Sequence, residues 1–297
     1  MGSQAWTVFI LGLAAFAIAF CLTPLMRGFA IRKKILSDPA KIKFYLTPRP
    51  LLGHVVLLTA FFVSLAVAFG LGVFKDEFYY SVAGLERISL GLFFTSLFLA
   101  ISSIYADVRN DASDLEWVYI IVGALMLYFF GIRFIILKIP FIGILNLKYW
   151  GLPLLALWVL LVVSIVELLD FFEGLAGAVI AIVSLIFVGL HLAAGKNELY
   201  AIVYFALLFG AAVGILLWQF LGRRIIYGKS GNKVVGFIFA AGTVIAHRKE
   251  DTGQFLLFPI AILLFVIVVV NFLFLEQQLR PISAKCRMNN QRQNERA

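Results

Sequence analysis

Long stretches without one charged residue limit what this chain can fold into. Residues 6–26, 50–73, 88–105 and 255–275 contain no Asp, Glu, Lys or Arg, and neither flank of the segment around residue 170 carries one. A backbone in hydrocarbon has no water to pair with, so it must satisfy its N–H and C=O groups internally, and a helix of about 20 apolar residues does so while crossing a bilayer. Only 14% of the residues are charged, where a soluble domain carries about a quarter. Apolar runs predict nine spans, at about 6–26, 50–73, 88–105, 117–137, 152–169, 174–194, 200–220, 234–247 and 255–275. The eighth is short for the purpose. Trp6 to Met26 is too long for the apolar core of a leader and leads into basic residues, so no cleavable leader is expected. Cys21 and Cys286 have no metal-ligand spacing, and His54, His191 and His247 form no ligand pair and read as polar residues near an interface.

One stretch breaks the apolar pattern. Glu167-Leu-Leu-Asp170-Phe-Phe-Glu173-Gly174 places three carboxylates at i, i+3 and i+6. On a continuous helix they would drift around one side. Ionisable groups at membrane depth cost roughly 2.5–3.5 kcal/mol each, which marks them as functional by default. Close carboxylates repel and need a cation, a proton or a basic partner. Gly174 and Gly177 weaken a helix at that point. Two readings stay open: a metal or phosphate site at the membrane face, or a short solvated turn between two spans.

The basic residues give the orientation. With the N-terminus outside, the inner segments hold 17 of the 25 Lys and Arg residues and the outer segments 8, the bias expected of cytoplasmic loops. The expectation is therefore an all-α polytopic membrane protein of about nine transmembrane helices, N-terminus outside and C-terminus cytoplasmic. Residues 1–275 form a single transmembrane helical domain and residues 276–297 a polar, basic cytoplasmic tail. The net charge of +9 reflects topology and attraction to anionic lipid, and no nucleic acid is expected as a partner. Three inner segments carry polar chemistry: 106–116, with Asp107, Asp111, Asp114 and Glu116; 167–174; and 221–233, with Arg224, Gly228, Lys229, Gly231 and Lys233. A basic loop broken by glycines can hold phosphate through backbone N–H groups, or can simply flank a span. On the outer side, residues 132–148 alternate β-forming residues around Pro140 and Gly143 and read as a small periplasmic β-hairpin.

Taken in order, these motifs resemble the polyprenyl-phosphate N-acetylhexosamine-1-phosphate transferases of glycosyltransferase family 4, nearest to the undecaprenyl-phosphate N-acetylglucosamine-1-phosphate branch. The likeness covers about residues 6–275. Asp38-Pro39, Lys43, Pro48-x-Pro50 and Gly53 fit the family's first inner loop, with Tyr45, Leu51 and His54 departing from it. The family's paired aspartates after the third span are Ala106-Asp107 here. Its Asn-x-x-Asp-Gly-x-Asp-Gly-Leu-Ala motif corresponds to Glu167 through Ala176, and its Gly-Asp-x-Gly-Ser to Gly228-Lys229-Ser230-Gly231-Asn232. The family's later His-rich loop has no counterpart.

The resemblance implies transfer of a sugar-1-phosphate from a UDP-sugar to a polyprenyl phosphate, on the cytoplasmic face of the plasma (inner) membrane, in cell-envelope glycan synthesis. It implies Asp107 and Asp170 as catalytic groups and Mg2+ ligands. Lys43, Glu173, Gly174, Arg224, Gly228, Lys229 and Gly231 would contact substrate, and a homodimer is one further expectation. Lys229 replaces an acidic position of the pattern. It is expected either to sit among Asp107, Asp170 and Glu173 and stand in for the metal's charge, or to be a solvated loop residue. In the first case no Mg2+ is needed. The alternative function is a catalytically inactive relative that binds polyprenyl lipid or scaffolds an envelope-synthesis complex. A transporter fits least, because the charges cluster at one face and not at mid-depth.

Overall fold

The computed structural model describes residues 2–37, 48–75, 82–109, 115–134, 136–139, 143–146, 150–169, 174–193, 199–221 and 225–246, all within the compact unit Met1–Glu250. Eight helices follow one another: α1 (Gly2–Arg32), α2 (Gly53–Gly70), α3 (Val82–Arg109), α4 (Leu115–Phe129), α5 (Gly151–Leu168), α6 (Leu175–Ala193), α7 (Leu199–Phe220) and α8 (Lys229–Ala246). Between α4 and α5, β1 (Ile136–Ile139) and β2 (Gly143–Asn146) pair antiparallel, with Ile136 opposite Asn146 and Ile139 opposite Gly143.

Six of the described helices, α1, α2, α3, α5, α6 and α7, are long and apolar enough to cross a bilayer. The chain is a multi-pass membrane protein. The expectation of nine spans is reduced to these six among the described residues. At 1.5 Å per residue, the 15 residues of α4 reach only about 22 Å, short of a hydrocarbon core of about 30 Å. Helix α8 carries two lysines near its start, and every residue after Lys229 is buried in protein. The ninth expected span and the polar tail lie outside the described residues.

Helix α7 is the spine. It packs along α1 on one side and α6 on the other, and also touches α2. Without a hydrophobic drive in lipid, helices associate through close packing, which small residues four apart permit. Gly210 and Gly214 of α7 supply that spacing. A Cβ on Gly210 would run into the backbone of Gly12, and one on Gly214 would lie 2.8 Å from the Phe16 carbonyl and from the Ala19 methyl. Trp218 ties the two helices by donating from Nε1 to the Phe20 carbonyl at 2.8 Å. Helix α1 continues through Pro24, a tolerance common where neighbouring helices support the backbone.

Helix α8 packs against α5 and α3. Gly236 lets it approach Val163 and Val166. Two hydrogen bonds fix its height: the Tyr204 hydroxyl donates to the Ile238 carbonyl at 2.7 Å, and Trp158 Nε1 donates to Thr243 Oγ1 at 2.9 Å.

Candidate functional site

The segment Ile225–Gly228, wholly buried, gathers the helix ends at one end of the bundle. Its backbone extends a small ladder. Ser37 N–H donates to the Arg49 carbonyl at 2.8 Å, Leu51 N–H to Ile35 at 3.2 Å, Ile226 N–H to Pro50 at 3.0 Å and Gly53 N–H to Ile226 at 3.1 Å. The Ser37 hydroxyl accepts from the Arg49 N–H at 3.0 Å. Buried backbone groups need such partners, and the ladder therefore fixes the entry to α2 against the entry to α8. The end of α7 joins it through Gln219, whose amide nitrogen donates to the Ile225 carbonyl at 2.9 Å. The start of α6 joins through Gly177, where a Cβ would lie 3.1 Å from the Tyr227 hydroxyl. Burial pushes the Tyr227 phenol well above its ordinary value, so it stays neutral.

Gly228 turns the chain into α8 at φ 81°, a conformation glycine adopts without steric cost. The end of α3 comes up beneath it: a Cβ on Gly228 would lie 3.1 Å from Asp107 Oδ2. Gly174, at φ 76°, makes the same kind of turn before α6.

His54 at the start of α2 is fully buried in protein. Its Nδ1 lies 3.0 Å from the Tyr227 carbonyl. A carbonyl only accepts, so Nδ1 carries the proton. Gly231 leaves room for the ring, since a Cβ there would strike Nδ1.

The first turn of α8 holds the charge. Lys233 lies 2.5 Å from Glu116 Oε2 at the start of α4, and each side chain is only 6% exposed. Ser230 donates to the other Glu116 oxygen at 2.9 Å. The Lys233 ammonium also sits 4.7 Å above the Trp117 ring and 3.6 Å from Glu167 Oε1 at the end of α5. Lys229, 54% exposed, reaches the same Glu167 oxygen at 3.7 Å, where Glu167 is 20% exposed. Glu116, Lys233, Glu167 and Lys229 thus form one alternating ladder of charge from the interior to the surface. Buried charges persist when paired in this way. A cleft of about 20 Å³ lined by Ser102, Ser103, Glu116, Tyr119 and Lys233 lies alongside, room for about one water.

The expected site residues fall into three groups. Asp107, Gly228, Lys229 and Gly231 converge at the start of α8. Gly174 stands at the start of α6, within reach of Gln219 on α7. Lys43, Asp170, Glu173 and Arg224 lie outside the described residues. Helix α5 ends at Leu168 and carries Glu167, while the other two carboxylates of the 167–173 stretch lie outside the described residues. Lys229 and Lys233, expected in a loop, belong to α8. Asp107 lies in α3 and Glu116 in α4.

Sequence reading overlooked Lys233 and Glu116 as one unit. Lysines four apart share a helix face, which was the available signal once 229–246 is read as helix.

A divalent metal does not fit the groups described. Among them no cluster of three or more His, Cys, Asp or Glu side chains is placed to hold one. Glu167 already faces two ammonium groups within 4 Å.

Comparison with known proteins adds a family. Residues 89–247 match the model of "Glycosyl transferase family 4", a span holding Asp107, Glu116, Glu167, Lys229 and Lys233. The chain is 22% identical over 266 residues to the "Probable undecaprenyl-phosphate N-acetylglucosaminyl 1-phosphate transferase" of Bacillus subtilis (strain 168), covering 89% of this chain and 70% of that protein. It is 25% identical over 253 residues to the "Decaprenyl-phosphate N-acetylglucosaminephosphotransferase" of Mycobacterium tuberculosis (strain CDC 1551 / Oshkosh), covering 80% of this chain and 60% of that one. A "Phospho-N-acetylmuramoyl-pentapeptide-transferase" of Leuconostoc mesenteroides is 27% identical over 150 residues, half of this chain and 46% of its own length. The chain thus spans well under the full length of these relatives.

Proposed function

The chain belongs to glycosyl transferase family 4, and from that premise we propose that it moves a sugar-1-phosphate from a UDP-sugar to a polyprenyl phosphate. A phosphate oxygen of the lipid attacks the β-phosphorus of the nucleotide sugar. The new P–O bond forms as the bond to the α-phosphate oxygen breaks, and UMP leaves. The names of the relatives support the acceptor and the N-acetylhexosamine class.

The observation that carries this reading is the meeting of Asp107, Glu167 and Lys229 around the first turn of α8. Three separate helix ends bring charge to one mouth, and the half-exposed Lys229 faces outward there. An ammonium beside first-turn N–H groups offers diphosphate oxygens both charge and hydrogen-bond donors. Asp107, beside the turn at Gly228, is assigned as the base that takes the proton of a singly protonated lipid phosphate as its oxygen attacks. The excess of Lys and Arg in the segments at this end supports a cytoplasmic location for the mouth, where nucleotide sugars are available, and a plasma-membrane setting.

UMP release from UDP-N-acetylglucosamine by the purified chain, with and without undecaprenyl phosphate, tests the proposal. Release that depends on the lipid and falls at least about 100-fold in Asp107→Asn is the expected result, as for removal of a group acting directly in the reaction. Lipid-independent release, or full release by the variant, would rule the assignment out.

A further inference from the structure

Two departures from the family's sequence pattern prove to be neighbours. By the motif resemblance given above, Glu167 stands at a position of Asn and Lys229 at a position of Asp. The two side chains lie 3.7 Å apart as an ion pair. The exchange adds one negative charge at the first position and replaces a negative by a positive charge at the second. It therefore takes the two positions from a net charge of −1 to zero without any added ion. Glu167 is also held by Lys233 at 3.6 Å, an ammonium that Glu116 and the Trp117 face fix from behind. Lys229 springs from the residue after Gly228, against which the Asp107 carboxylate packs.

We propose that Lys229 is the resident cation of this mouth. Its ammonium, tethered by Glu167 beside Asp107, takes the place a divalent metal would need, and the diphosphate of a nucleotide sugar binds there without one. The tether matters because a lysine is a flexible point charge, and Glu167 returns it to one place between ligands. The cation assignment rests on the ladder alone. The ligand rests on the transferase reading.

The purified full chain in nanodiscs of neutral lipid decides between the two cations by manganese titration, read from the paramagnetic resonance of free Mn2+. Wild type is expected to take up no more Mn2+ than empty nanodiscs. The double variant Glu167→Asn/Lys229→Asp is expected to take up more Mn2+ than wild type, because it exchanges an ammonium for a carboxylate near Asp107. Uptake of about one Mn2+ per chain by wild type, lost in Asp107→Asn, would overturn the proposal.

A second measurement does not depend on the double variant folding. UDP-N-acetylglucosamine is expected to raise the thermal midpoint of wild type equally in EDTA and in Mg2+, and to have no effect on Lys229→Met. Protection that appears only with Mg2+ would overturn the proposal. Lack of protection in both media would count against the transferase reading instead, and the manganese titration would then settle the cation by itself.

Discussion

Glu116→Ala removes the innermost rung of the charge ladder. The Lys233 ammonium would lose a carboxylate at 2.5 Å while staying 6% exposed. Removing one partner of a buried pair costs about 3–5 kcal/mol, because the other charge is left without compensation. Two contacts soften this. Glu167 remains at 3.6 Å, and the Trp117 ring at 4.7 Å contributes about 0.5–2 kcal/mol as a cation–π partner. Ser230 loses its acceptor, which returns about 1 kcal/mol of the cost. The net loss is expected at about 2–4 kcal/mol. Glu116→Leu with Lys233→Met removes both charges and fills their volume, and should fall within about 1 kcal/mol of wild type. Reversible unfolding in mixed micelles, followed by tryptophan fluorescence, measures both variants. A single substitution that costs under about 0.5 kcal/mol, or a double as costly as the single, would refute the argument that the pair is buried and mutually dependent.

Other outcomes follow from the same packing. Tyr227 titrates above its unfolded value of about 10. The folded state then keeps a proton that the unfolded state has lost, so stability is fully present below pH 10 and falls as pH rises beyond it. Tyr227→Phe should remove about 1.4 kcal/mol per pH unit from that slope, read from unfolding midpoints across alkaline pH. Gly214→Leu should push α1 from α7, because a Cβ there already meets the Phe16 carbonyl at 2.8 Å, at a cost of about 1–3 kcal/mol or more. Gly189→Leu, at a position with nothing within 4 Å, is the matched control and should unfold like wild type. Gly231→Ala should destabilise through the His54 ring, and His54→Gly should relieve most of that loss in a double-mutant cycle.

Hydropathy made the membrane class and most helix positions legible, because α2, α5, α6 and α7 coincide with uninterrupted apolar runs. The polar ends were harder to read. Helix α8 was expected from residue 234 because Lys229 and Lys233 look like loop residues in a one-dimensional hydropathy reading. In the fold they belong to the helix, and Glu116 and Glu167 offset their charge. Asp107 and Glu116 similarly lie in α3 and α4, beyond the apolar stretches that announced those helices. Asp107, Glu167 and Lys229, from three separate motifs, lie around the start of α8. Sequence alone could not show that Glu167 and Lys229 are partners, since 62 positions separate them and only the crossing of α5 and α8 brings them together. The burial of His54 was out of reach for a similar reason, because it depends on the space left by Gly231, on a different helix.

The most direct measurement follows the β-phosphate. UDP-N-acetylglucosamine carrying radioactive phosphorus at that position is incubated with the purified chain and undecaprenyl phosphate, then partitioned between butanol and water. Transfer of a sugar-1-phosphate carries the label into the lipid phase and leaves unlabelled UMP in water, and Asp107→Asn should abolish that movement. Label retained in water as UDP while the sugar enters the lipid phase, or label that stays wholly on the nucleotide sugar, would contradict the account.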